Sequence, residues 1–176
     1  MKLDVDFEIH DKPEEVFDKF VEADADGHLF KKLPNVKSYK QIELKKLTGE
    51  KYYFRSYAEG KSPIPAVVQH FIFPNMIAWE FYGERDHKKR TIDWAIKTPY
   101  FTDQVKAKGK WEFKKAKTNA HTIMRLSLEI HIGFPLVGRL LEQFVAGQTK
   151  QNLTEYVELL KDEIYKNNHK KAGKKQ

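Results

Sequence analysis

A chain of 176 residues, 40% hydrophobic and 13% aromatic, is sized for one domain around a single core. Having no cysteine, it is excluded from disulfides, thiol catalysis and cysteine-ligated metals; no apolar run approaches the roughly 18 residues of a membrane-crossing helix, and a cytoplasmic location is the default expectation. The net charge of +7 is concentrated in residues 85–117, with 11 basic and 4 acidic side chains, and in residues 166–176, with five lysines and no acid.

Residues 2–10 (KLDVDFEIH) alternate strictly between apolar and polar, which predicts a half-buried strand and not a signal peptide. Asp11-Lys12-Pro13-Glu14-Glu15 opens a short helix through Val16, Phe17, Phe20 and Val21. A second short helix is expected over Asp24 to Lys32, stopped by Pro34. Two strands follow, 36–47 and 50–58, joined by a tight turn at Leu47-Thr48-Gly49-Glu50. Ser62-Pro63-Ile64-Pro65 breaks the pattern, and 66–73 is ambiguous between strand and helix. Strands are expected again over Met76 to Gly83, with Ile77, Trp79 and Phe81 on one face, and over Arg90 to Thr98 after a charged turn at Arg85 to Lys89. In the last pair, Val105, Ala107, Gly109, Trp111 and Phe113 oppose a lysine-rich face, and Thr122, Met124, Leu126, Leu128 and Ile130 oppose a polar one. Solvated faces of an antiparallel sheet account for these lysines.

The stretch from Phe134 to Lys166 is the one segment long enough for a helix of many turns. Pro135 suits a first helical turn. Val137, Leu140, Leu141, Phe144 and Val145, then Leu153, Tyr156, Val157, Leu160 and Ile164, recur at helical spacing. Gly147 interrupts this stripe at a cost of about 1 kcal/mol relative to Ala, so either a close packing partner such as a ligand or a bend is expected there. Residues 167–176 lack an apolar side chain other than Ala172 and are expected to form a disordered tail. The domain is thus 1–166.

The order of these elements, together with Pro13-Glu14-Glu15-Val16-Phe17, Gly109-Lys110-Trp111-Glu112-Phe113 and Phe134-Pro135-Leu136-Val137-Gly138 followed by Glu142, resembles the START and birch-pollen-allergen-like (SRPBCC) superfamily, most of all an uncharacterised bacterial branch. The resemblance covers residues 1 to about 165 and is carried by structural motifs. It implies an α+β helix-grip fold: a curved antiparallel sheet of about six to seven strands wrapped around a long C-terminal helix, with two short helices after the first strand. It also implies a hydrophobic small molecule, lipid-like, sterol-like or polyketide-like, held between sheet and helix. Other members are cyclase- or aromatase-like enzymes or co-chaperones, and these remain the alternatives.

On that expectation the cavity lining comprises Phe54, Trp79, Phe81, Trp94, Trp111, Phe113, Met124, Leu126, Leu141, Phe144, Gly147 and Gln148, because ligand pockets are mostly apolar with a few orienting polar groups. Arg55 and His70 are the candidate polar anchors. Alternation allows either Phe54 or Arg55 to face the cavity, not both, and it turns Glu80 and Asp93 away from their tryptophan neighbours. His131 has no nucleophile or carboxylate at a telling spacing. No catalytic motif, phosphate loop or metal-ligand pattern is present, so neither a catalytic residue, a cofactor nor a metal is expected, and the chain reads as a monomeric binding protein before an enzyme. The basic residues suit contact with a membrane surface or a protein partner. Nucleic acid is disfavoured, because the basic region lacks interleaved exposed aromatics.

Overall fold

The computed structural model describes residues 1–61, 66, 69, 76–117 and 121–173, with side chains to Asn167. Ser62–Pro65, His70 and most of the ambiguous stretch 66–73 lie outside the described residues. Seven strands, β1 (Lys2–Ile9), β2 (Val36–Lys46), β3 (Lys51–Gly60), β4 (Ala78–Asp86), β5 (Thr91–Lys97), β6 (Val105–Lys115) and β7 (Thr122–Ile132), form one antiparallel sheet in the order β1-β7-β6-β5-β4-β3-β2. Two helices, α1 (Pro13–Asp26) and α2 (Gly138–Gly173), and a 3-10 turn at Phe30–Lys32 complete the helix-grip arrangement.

The alternation seen in the sequence becomes a two-sided sheet. Leu3, Val5 and Phe7 of β1 stand opposite Leu128, Leu126 and Met124 of β7, all on the inner face. On the outer face Asp6 takes a bidentate contact from Arg125 (2.7 and 2.6 Å), and Glu129 sits between Lys2 and Lys108 (2.9 and 3.0 Å). Each exposed pair contributes little stability. They do show that the lysine-rich strand is a solvated face, as expected.

Three helix boundaries differ from the sequence reading. The helix opened by Pro13 does not stop near Val21. It continues to Asp26 and ends at Gly27, so the expected second helix shrinks to a 3-10 turn at Phe30–Lys32. Phe17 and Phe20 are buried, and the same stripe carries on to Ala23 and Asp24, which supplies the reason for the extra turn. The long helix begins at Gly138, not at Pro135. Leu136 adopts a φ of 66° and stands fully exposed, which ends any helical run through it. Gly138 starts the helix against the sheet: a Cβ there would lie 2.2 Å from the Ile132 carbonyl oxygen. Four residues on, the Glu142 carboxylate accepts the Ile132 N–H (2.9 Å), and that hydrogen bond holds the carboxyl below its usual range. Leu140, placed in the apolar stripe by its spacing, is instead half exposed. At its far end α2 is helical to Gly173, into the lysine-rich segment read from sequence as a tail.

Helix α1 and the C-terminal half of α2 close one end of the sheet's inner face. Phe17 meets Phe113 edge to face at 5.2 Å, and Phe20 contacts Trp111 (5.4 Å), Phe113 (5.3 Å) and Tyr156 (5.4 Å). Ile9, Val16, Leu29, Met124, Val157 and Leu160 fill the rest. Among the described residues, no second helix covers the other end of the inner face.

Candidate functional site: a cavity between sheet and helix

Where α1 stops covering the sheet, a cavity of about 390 Å³ opens beneath the N-terminal half of α2, within the size range of small-molecule sites. Its floor is aromatic. Trp79 and Phe81 of β4 and Trp94 of β5 form a chain of edge-to-face contacts at 6.2 and 5.5 Å. The Trp94 indole lies over Gly109 of β6, where a Cβ would approach it to 2.5 Å; any larger residue would push the ring into the cavity. Its roof is Leu141, Phe144, Val145 and Gln148 of α2. Near the opening, Phe101 packs edge to face on Phe134 (5.1 Å), and both line the wall.

Of the residues expected to line a cavity, Phe54, Trp79, Phe81, Trp94, Trp111, Leu126, Leu141, Phe144 and Gln148 do so. Phe113 and Met124 do not. They lie on the inner face but under α1, buried in the closed core. Gly147 does not line it either. It faces solvent, and a Cβ placed on it would meet nothing within 4 Å, so neither a ligand nor a packing partner accounts for it. Alternation on β3 turns Phe54 inward, buried, and leaves Arg55 outside the lining, so Arg55 is not the anchor. His131 is exposed on the outer face, 3.5 Å from Glu142.

The polar groups at the cavity are others. Asn35, just before β2, donates to Gln148 Oε1 (2.7 Å) and Asn152 Oδ1 (3.2 Å) of α2, tying helix to sheet across the wall. At the closed end, Asp24 of α1 lines the cavity and is the one charged lining residue among those described. Its carboxylate accepts from the Tyr39 hydroxyl and from Arg85 Nη2. Arg85 is 1% exposed, also donates to Gln41 Oε1 (3.3 Å), and lies over the Phe54 ring at 4.5 Å, a cation–π contact. Burial pushes the Asp24 carboxyl up, opposed by Arg85 and the Tyr39 hydroxyl. Burial and the adjacent carboxylate push the Tyr39 phenol up far beyond its usual value.

The sequence carries a signal for both members of this pair. Arg85 stands two, four and six residues from Gly83, Phe81 and Trp79 on β4, so alternation places it inward once the strand is allowed to reach Asp86. A run of five mostly charged residues disguises it as a turn. Asp24 follows Phe17 and Phe20 at helical spacing and lies beyond the early end expected for α1.

One further cluster lies away from the cavity. Glu8, His10 and His121 bring their ligand atoms within 4.8 Å of one another, with the two imidazoles stacked at 4.0 Å and His121 Nδ1 2.9 Å from Glu8. The sequence shows no metal-ligand spacing here because His121 is brought in by β-pairing from over a hundred residues away. The cluster is exposed apart from His121.

No protein-family model matches the chain, and no curated protein sequence matches it. Solved structures do. A point mutant of Thalictrum flavum norcoclaurine synthase in complex with a transition-state analogue aligns with a TM-score of 0.66 at 11% identity, covering 96% of each chain. A protein from Thermus thermophilus aligns at 0.64 and 17% identity, over 95% of this chain and 99% of that one. An aromatase/cyclase from a Streptomyces species aligns at 0.63 and 10%, over 94% and 93%. At such identities the likeness is one of fold.

Proposed function

We propose that this START-like helix-grip domain binds a hydrophobic small molecule in the cavity between its sheet and the N-terminal half of α2. The observation that carries the reading is the lining itself: tryptophan, phenylalanine and aliphatic side chains around about 390 Å³ of space, with one charged residue at the closed end. Burying about 200 Å² of apolar ligand surface there would contribute about 5 kcal/mol before the costs of association. Helix-grip neighbours that include an aromatase/cyclase and a norcoclaurine synthase lend support, and among the described residues no helix is long and apolar enough to cross a membrane.

The test is a fluorescence titration with N-phenylnaphthylamine, a neutral apolar probe, alongside native mass spectrometry of the protein as purified. Saturable one-site binding that is lost in Phe144→Glu is the expected result. Phe144 is partly exposed and borders the cavity, so this variant should remain folded by circular dichroism. Non-saturable binding, or binding indifferent to Phe144→Glu, would refute the reading.

A second reading, a cyclase- or dehydratase-type enzyme on the same cavity, is favoured by one observation, the Asp24 carboxylate at the wall with burial raising its proton affinity. A base so placed could remove a proton next to a carbonyl of a bound substrate. Deuterium exchange into a co-purified carbonyl ligand, abolished by Asp24→Asn, would separate catalysis from binding alone.

A further inference from the structure

We infer that Glu8, His10 and His121 form a binding site for a zinc-class divalent transition ion, and that the ion clasps the edge strand β1 to β7. The inference is independent of the cavity reading above, because it concerns the outer face of the sheet.

Strand pairing brings the three side chains together. Ile9 of β1 stands opposite Thr122 of β7, and both are buried. One step further along the antiparallel register His10 falls opposite His121, and alternation turns both to the outer face. Glu8, two residues before His10, shares that face and lies diagonal to His121, within reach of a long side chain. The atoms follow this plan. The two imidazoles stack at 4.0 Å, His121 Nδ1 lies 2.9 Å from Glu8 Oε1, and one ligand atom from each residue falls within 4.8 Å of the others. The backbone beneath is tied down as well, because the Thr122 hydroxyl donates to the Asp11 carbonyl (2.7 Å).

The donor set selects the ion. Two imidazoles and one carboxylate suit zinc, copper, nickel or cobalt, whereas magnesium and calcium take oxygen ligands. The contact with His121 holds the Glu8 carboxyl below its usual range, so it offers an anion to the metal. Zinc held by three protein groups keeps a fourth position for water. Bond lengths of about 2.0–2.1 Å require the rings to leave their stack, and His10 is exposed, so its ring can turn toward the ion. The effect of the ion follows from where it sits. β1 pairs with β7 alone, and Glu8 is 113 residues from His121. An ion shared by the two strands closes that long loop in the folded chain and finds no preformed site in the unfolded one, so it stabilises the native state.

The experiment is a calorimetric titration of the full chain, carrying no histidine tag, with zinc chloride, paired with urea unfolding in its presence and absence. One ion per chain should bind, and the urea midpoint should rise with zinc but not with magnesium. His10→Asn and Glu8→Gln replace exposed side chains and should fold as the parent does. Each should weaken zinc binding by about tenfold or more, since changes to groups that merely orient a metal ligand already cost about 10–100-fold, and each should remove most of the rise in midpoint. Cobalt in place of zinc should give the intense visible absorption of a four-coordinate site, and His10→Asn should lose it. A parent that binds no zinc overturns the inference. So does zinc binding that survives undiminished in both variants, which would place the ion on other side chains. Binding that leaves the urea midpoint unmoved overturns the clasp. None of these outcomes bears on the cavity reading, whose own titration decides it separately.

Discussion

The two ends of the inner sheet face are built from the same kinds of residue and come out differently. At one end Phe17, Phe20, Trp111 and Phe113 interlock with Met124, Val157 and Leu160, and every one is buried. At the other, Trp79, Phe81, Trp94, Phe134 and Phe144 are only partly buried and border open space. What separates them is the reach of α1. This helix spans Pro13–Asp26 and turns away at Gly27, so a second layer of side chains meets the sheet at one end only. At the other, α2 is the one helix over the face among the described residues, and it leaves the space open. An aromatic residue here is packed away or borders the cavity largely according to whether α1 stands opposite it, with Trp111, which meets Phe20 and also lines the cavity, at the boundary.

That contrast can be tested most severely through the buried pair at the boundary between the two ends. Asp24→Ala leaves Arg85 charged, 1% exposed and without its carboxylate, and should destabilise the protein by about 3–5 kcal/mol in urea unfolding. The double replacement Asp24→Leu with Arg85→Met should recover a large part of that loss, since it removes both charges. A double variant no better than the single one would mean that the pair does more than neutralise itself. A matched pair of truncations addresses the packing directly. Phe113→Ala, in the closed end, should cost about 3–5 kcal/mol, because a cavity replaces a fully packed ring. Phe144→Ala enlarges a space that already exists and should cost under about 1 kcal/mol. Similar losses at the two positions would contradict the division drawn here.

The smallest expected effect concerns pH. His28, in the connection after α1, pairs through its two ring nitrogens with Asp26 and with Glu163 of α2, strapping the closed end. Burial pulls its proton affinity down, but the two carboxylates outweigh this and raise it above the ordinary value of 6.5. A raised histidine stabilises the fold fully below about pH 6.5 and loses that contribution as pH climbs through the folded value. The urea midpoint should therefore fall as pH is taken from mildly acid to mildly alkaline. In His28→Gln this component of the slope should vanish, and an unchanged slope would assign the effect elsewhere.

How much of this is legible in the sequence follows the same boundary. Period-2 alternation exposes the strands, and with them the inward set Trp79, Trp94, Trp111 and Leu126, because a sheet face is a local property of the chain; on β3 it leaves Phe54 and Arg55 as alternatives. Which inward residues meet α1 and which meet space is not local. Phe113 and Trp111 share a strand and a face, yet only Trp111 reaches the cavity. Gly147 misleads because a helix stripe is broken equally by a glycine beside a ligand and by one facing water. The buried pair escapes for a different reason: charge reads as a sign of the surface, although both residues fall on the buried side of the very periodicities that reveal their neighbours. Tyr39 is hidden by register shifts in β2, between Val36 and Ser38 and between Gln41 and Glu43, which disturb strict alternation.

The sheet order carries a consequence for how the chain reaches this state. The first two strands in sequence, β1 and β2, occupy opposite edges, and β1 pairs with β7 alone, Lys2 opposite Glu129 and Ile9 opposite Thr122. The remaining strands form a run of neighbours that can zip up by successive hairpins from β2 to β7. The N-terminal strand cannot join until the last hairpin exists, and its loop spans most of the chain, an entropic cost that falls late. During synthesis on the ribosome β1 emerges before the other six strands and waits longest of them. Its alternating acidic side chains, Asp4, Asp6 and Glu8, keep that waiting strand hydrated and discourage it from pairing with a neighbouring chain.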